Sequence, residues 1–160
     1  MNEQLVDDLQ VFVSQAIASF CRLALIVGPL GAGKTPILKS LASRLDVPVT
    51  NVNLELSAKL LAYPTATRPF RVVSIFEELI DGQKDPVLLD NIEVLFDPTL
   101  RIDPLRLLEN LSRCRTIVAT WPGTLVDNRL VYAEPWHPEY RTYSQFDAHP
   151  FCVNVNNKYK

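Results

Sequence analysis

Cysteine is scarce in this 160-residue chain: Cys21, Cys114 and Cys152 are the whole complement, widely scattered and in no CxxC pair. That excludes a disulfide framework and suits a reducing cytoplasm. Histidine is scarcer still, and His137, His149 and Cys152 show no repeated ligand spacing, so a structural zinc site has no support. There is no surplus of positive charge, with 16 Lys and Arg against 18 Asp and Glu for a net charge of −2. Without a basic field the chain is unlike a free-standing, non-specific nucleic-acid binder. Long apolar runs are also missing. Leu23 to Val27 is far too short to span a bilayer, and the N-terminus carries Glu3, Asp7 and Asp8 where a leader would be basic. The expectation is a cytoplasmic protein with no membrane contact.

The length fits one compact domain over residues 1–160, and about half of the residues (48%) are apolar, enough for a sizeable core. Leu5, Leu9, Phe12, Val13, Ala16, Ile17 and Phe20 recur at helical spacing, so residues 1–21 read as an amphipathic helix. Its apolar stripe could pack on the domain's own core or dock on another subunit. Residues 22–126 then alternate strand and helix: a strand over Leu23 to Val27, a helix over Lys34 to Leu45 and a strand over Val49 to Leu54. A short helix over Glu55 to Leu61, a loop from Tyr63 to Pro69 and a helix over Arg71 to Ile80 follow. Next come a strand over Val87 to Leu89 ending at Asp90, a helix over Asp103 to Leu111, and a strand over Thr116 to Thr120 closed by Trp121-Pro122-Gly123. This alternation predicts an α/β fold of three layers with a mostly parallel central sheet.

Gly28-Pro29-Leu30-Gly31-Ala32-Gly33-Lys34-Thr35 completes the GxxxxGK[ST] pattern between that first strand and helix. Small residues let the backbone wrap so that successive N–H groups point inward at a phosphate, and the helix N-terminus favours an anion. In this pattern Lys34 reaches the β- and γ-phosphates and the Thr35 hydroxyl ligates magnesium, which makes ATP with Mg2+ the expected cofactor pair. Pro36 is a departure. It stands where a backbone N–H commonly donates to the α-phosphate and has none to give, although the first helical turn accepts it sterically.

Asp90, at the end of Val87-Leu88-Leu89, is placed to orient magnesium through its water shell, with Thr35 as the other protein ligand. The residue after it is Asn91, where many ATPases with an extra central strand carry a water-polarising glutamate. Glu93 is the nearest glutamate; it could face the γ-phosphate or lie on a solvent-facing turn. Thr120, at the next strand end, could sense the γ-phosphate or merely satisfy backbone groups. Arg101, Arg106, Arg113 and Arg115 are candidates for an arginine donated to a neighbouring subunit's site. The fold expected is therefore the P-loop NTPase core with a strand inserted between the phosphate-loop strand and the Asp90 strand, without a helical lid.

Residues 127–160 are rich in aromatics, among them Tyr132, Trp136, Tyr140, Tyr143, Phe146 and Phe151. Arg129 to Glu134 could pair with Tyr140 to Ser144 as a hairpin, and Phe151 to Val155 could form a last edge strand. The aromatics could fill a core, anchor a protein or stack on bases.

The loop Gly28 to Thr35, the Val52-Asn53-Leu54-Glu55 segment and Val87-Leu88-Leu89-Asp90-Asn91-Ile92-Glu93-Val94-Leu95-Phe96-Asp97-Pro98 together resemble the small P-loop protein of type 3 bacteriophage-exclusion (BREX) systems. The resemblance implies a cytoplasmic subunit of a bacterial antiviral defence complex, acting beside a methyltransferase and larger ATPases, with nucleotide state coupled to assembly or DNA surveillance. Other subunits of that complex are the expected partners, a homo-oligomer is open, and so is direct DNA contact. Leu30 to Thr35 also looks like the small ATPase of tRNA threonylcarbamoyl-adenosine synthesis, but the histidine and aspartate-tyrosine-arginine cluster of that family has no counterpart here. A weak or partner-activated ATPase, a nucleotide-dependent adaptor that hardly hydrolyses, and a small-metabolite kinase are the three functions to separate. The kinase lacks an evident arginine-bearing lid and substrate base.

Overall fold

The computed structural model describes residues 3–18, 21–126, 129–132, 141–143 and 150–155. Strand β1 (Leu23–Gly28) is buried at every position, as a parallel strand covered on both faces must be. Its side chains alternate between two cores. Leu23, Leu25 and Val27 face one, with Leu56, Phe76 and Leu89, while Ala24 and Ile26 face the other, with Leu38, Leu41 and Val118.

Helix α1 (Glu3–Gln15) and helix α2 (Lys34–Leu45) cover the second face. Val6 and Leu9 of α1 are buried, and Arg44 of α2 pairs with Glu3 and Asp7, both at 2.6 Å. Phe12 stacks on Phe151 with ring centroids 5.2 Å apart. The N-terminal helix thus packs within its own chain. On the opposite face lie α3 (Val52–Leu60), α4 (Val72–Ile80) and α5 (Pro104–Leu111).

The strands β2 (Val49–Asn51), β3 (Val87–Asp90), β4 (Ile117–Val126), β1 and β7 (Phe151–Asn154) lie in that spatial order, every neighbouring pair parallel. Because β4 lies between β1 and β3, this is the P-loop NTPase core with an inserted strand that the sequence predicts. The described residues after β4 are all in or beside strands. β5 (Arg129–Tyr132) pairs antiparallel with the far half of β4, and β6 (Arg141–Tyr143) pairs with β5. The expected hairpin therefore forms between these strands. Trp136, His137, Tyr140, Phe146 and His149 lie outside the described residues.

Three local expectations change. Val52 to Leu54 is the first turn of α3 and not strand, because Asn51 caps that helix by accepting a hydrogen bond from Leu54 N–H at 3.1 Å. The loop before α4 contains a 3-10 segment, Thr65–Phe70. Trp121-Pro122-Gly123 does not close β4. Trp121 and Pro122 still pair with Val27 and Gly28, and Gly123 to Val126 carry on into the pairing with β5. Gly123 is obligatory at this crossing, since a Cβ there would lie 1.7 Å from the Val131 carbonyl oxygen.

Candidate functional site

The ends of β1 and β3 and the interior of β4 deliver three groups to one place; Thr120 is not at a strand end, as the sequence suggests, because β4 runs on to Val126. From β1 the chain enters the loop at Gly28, turns through Gly31 and Gly33 in the left-handed region at φ +80° and +98°, and starts α2 at Lys34. Ala32 N–H donates to the Pro29 carbonyl at 3.1 Å, closing the turn, while Leu30 projects into solvent. A Cβ on Gly28 would sit 2.6 Å from the Val155 carbonyl, and Val155 N–H donates to Val27 at 2.7 Å, so the end of β7 braces the base of the loop. Lys34 Nζ donates to the carbonyls of Gly28 (2.7 Å) and Pro29 (2.8 Å). Its pKa is lowered by burial, against the opposing pull of the Glu93 and Asp90 charges.

Asp90 is buried at the end of β3 and gathers the site around its carboxylate. Thr35 hydroxyl donates to Oδ2 at 2.9 Å; Thr120 hydroxyl, from the neighbouring β4, donates to Oδ1 at 2.7 Å, and Asn91 N–H donates to Oδ1 at 2.9 Å. Asn91 takes the left-handed conformation at φ +53°, which turns the chain off the strand and into a 3-10 turn over Glu93–Phe96. Glu93 is half-buried and lines the same cleft as Lys34, Thr35, Asp90 and Thr120. That cleft measures about 270 Å³ and is also walled by Leu30, Gly31, Gly33, Pro36 and Asn91.

Sequence reasoning missed Asn53. Its Nδ2 donates to Glu93 Oε2 at 3.0 Å, its Oδ1 accepts from Val94 N–H at 2.7 Å, and its own N–H donates to the Asn91 carbonyl at 2.8 Å. One residue at the start of α3 thereby fixes the near end of the turn that carries Glu93. The available signal was an asparagine just past a strand end. The apolar pattern of Val52 to Leu54, which suggests strand, masks that signal. The buried ring stack of Phe96 on Tyr132 (3.7 Å) and its edge contact with Trp121 (5.1 Å) anchor the far end of that turn.

Of the four arginines named as candidate donors, Arg115 is paired with Asp81 at 2.9 Å, whereas Arg101 is exposed with no partner among the described residues. The described residues contain no group of three or more His, Cys, Asp or Glu that could hold a metal, and no helix long and apolar enough to cross a membrane.

No protein-family model and no curated protein sequence matches the chain. Among solved structures it is similar to that of C. elegans PCH-2, at 20% identity and a TM-score of 0.48. The match takes in 96% of this chain and 41% of that one, so the chain spans well under half of its neighbour's length. At that identity the likeness concerns the fold alone.

Proposed function

We propose that this chain binds ATP with magnesium at the Gly28 to Thr35 loop and is a slow, partner-activated ATPase subunit of a bacterial antiviral defence complex. The observation that carries the nucleotide part is the convergence of Lys34, Thr35, Asp90 and Thr120 on one cleft, where β1 and β3 end on either side of β4. The defence role is supported by the resemblance of residues 28–35 and 87–98 to the BREX P-loop protein.

The donor set suits magnesium. One carboxylate and one hydroxyl, Asp90 and Thr35, lie in contact at 2.9 Å, no His or Cys is among the described residues lining the cleft, and Mg2+ takes few protein oxygens and completes its shell with waters and phosphates. Bound there, the ion would neutralise charge on the β- and γ-phosphates. The chain's own groups do the rest. The loop N–H groups and the α2 N-terminus hold phosphate oxygens, and the Lys34 ammonium, held over the loop by the Gly28 and Pro29 carbonyls, adds a positive charge. Thr120 restrains the Asp90 carboxylate from the side, and Glu93 is the group available to accept a proton from an attacking water.

The hold on Glu93 supports slow turnover over fast. One of its oxygens is already committed to Asn53, and Lys34 is the only cation lining the cleft among the described residues. The same observation favours a second reading, an adaptor that binds ATP without turnover. Calorimetric titration of Mg-ATP, alongside phosphate release over a range of protein concentrations, separates the two for the wild type, Lys34→Ala and Glu93→Gln. Binding lost in Lys34→Ala, with turnover that rises with concentration and vanishes in Glu93→Gln, is the expected result. Binding without turnover at any concentration, with or without partner subunits, selects the adaptor, and no binding at all removes both readings.

A further inference from the structure

A second concavity lies away from the phosphate cleft, between the 3-10 segment Thr65–Phe70 and the turn Pro98–Leu100, which pack against each other. It measures about 670 Å³ and is walled by Ala66, Pro69 and Phe70 on one side and by Pro98, Thr99 and Arg101 on the other. Phe70 is 84% exposed, an unusual state for a phenylalanine held on a short, proline-stiffened turn. Apart from the groove, Leu54 of α3 and Leu61 just past its C-terminus are 69% and 76% exposed. They stand seven residues apart, with Ala58 between, on the side opposite the buried Val52, Leu56 and Leu60.

Three arginines belong to the walls of this groove: Arg101 lines it, Arg68 lies within the 3-10 segment and Arg71 directly follows it. None of the three has a carboxylate within ion-pair distance among the described residues, whereas Arg22, Arg44 and Arg115 each do elsewhere. Arg68 donates to the carbonyls of Leu60 and Tyr63, both at 3.0 Å, and Arg71 lies over the Tyr63 ring at 5.7 Å. Both guanidiniums are held in place by neutral partners. Asp97, the acid nearest Thr99 in sequence, accepts both the N–H and the hydroxyl of Thr99.

We propose that this groove docks an acidic segment of a partner protein, which sets an apolar side chain against Phe70 and its carboxylates against Arg101 and the neighbouring cations. Aromatic side chains and arginine are enriched at protein interfaces, and this groove presents both, Phe70 on one wall and Arg101 on the other. The carboxylates supply what those cations lack. The apolar walls made by Ala66, Pro69, Phe70 and Pro98, together with the chain's net charge of −2, favour a protein segment over a nucleic acid. The proposal is independent of the nucleotide reading, because Phe70 and Arg101 are not among the cleft-lining residues.

The test is selection of a displayed library of random twelve-residue peptides on the full chain, with resynthesised winners titrated by fluorescence polarisation. Phe70→Ser and Arg101→Glu are the variants, both at exposed positions, with melting curves recorded to show that the fold is kept. Winners that carry at least two acids beside an apolar residue, bind more weakly as salt rises, and lose at least tenfold in affinity with either variant are expected. No enrichment, winners that are basic or uncharged, or winners indifferent to both variants would overturn the proposal. So would a twelve-residue oligothymidylate that binds the wild type and displaces the winners.

Discussion

Replacing Asn53 with alanine removes two side-chain hydrogen bonds and leaves the backbone bond from residue 53 to Asn91 in place. The bond to Glu93 Oε2 is charge-assisted, but both residues are half-buried, so its net worth is about 1 kcal/mol once solvent screening is allowed for. Val94 N–H, also half-buried, loses its acceptor at a cost of about 1 kcal/mol. The expected loss is therefore about 2 kcal/mol, or a fall in Tm of roughly 4–8 °C for a domain of this size. Urea unfolding followed by circular dichroism measures it, and a double-mutant cycle with Glu93→Ala isolates the pair, with a coupling of about 0.5–1 kcal/mol expected. Nucleotide affinity should stay within about threefold, because Asn53 does not line the cleft. An Asn53→Ala protein within about 0.5 kcal/mol of wild type, or a cycle with zero coupling, would show that the turn carrying Glu93 is held by its Phe96 anchor and not by Asn53.

Thr120→Val keeps the shape of a buried side chain but strips one donor from Asp90, which should cost about 1–3 kcal/mol, while Thr120→Ser, which keeps the donor, should recover most of it. If the valine variant unfolds at the same urea concentration as the serine variant, the hydroxyl contributes nothing. Lys34 titrates below the ordinary lysine value, so its charged form is costlier in the fold than in the unfolded chain. Its penalty on stability is full below the depressed pKa and fades as pH rises from there toward 10.5. Lys34→Met should therefore melt above wild type at neutral pH, with a gap that closes on the alkaline side, and phosphate binding by the wild type should weaken over that same alkaline range. A gap that widens with pH contradicts this account.

Much of the site could be read from the chain alone, because its parts are local. The GxxxxGK[ST] pattern needs only neighbouring residues to set the loop, and the glycines at 31 and 33 do adopt the left-handed backbone that such a wrap demands. The apolar run Val87-Leu88-Leu89 and the aspartate that ends it are equally local, as is the alternation of strand and helix that dictates a parallel sheet. The sequence overstates the length of β2 for an equally local reason: β-branched and apolar residues around Val52 suggest strand, and only the cap made by Asn51 shows that the helix has already begun.

Folding decided which residues meet. Thr120 can reach Asp90 only because β4 inserts beside β3, and Asn53 can hold Glu93 only because β2 is the next strand over, so that the residues following adjacent strand ends converge. The groove beside Phe70 joins residues 65–70 to residues 98–101, and the brace of Val155 on Gly28 joins the last described residue to the first glycine of the loop. Short-range chemistry fixes the phosphate loop and the element types, since these depend on φ/ψ preference and on apolar period. Pairings across 30 to 130 residues depend on strand order and on closing long loops, and that order is selected by the packing of the whole core.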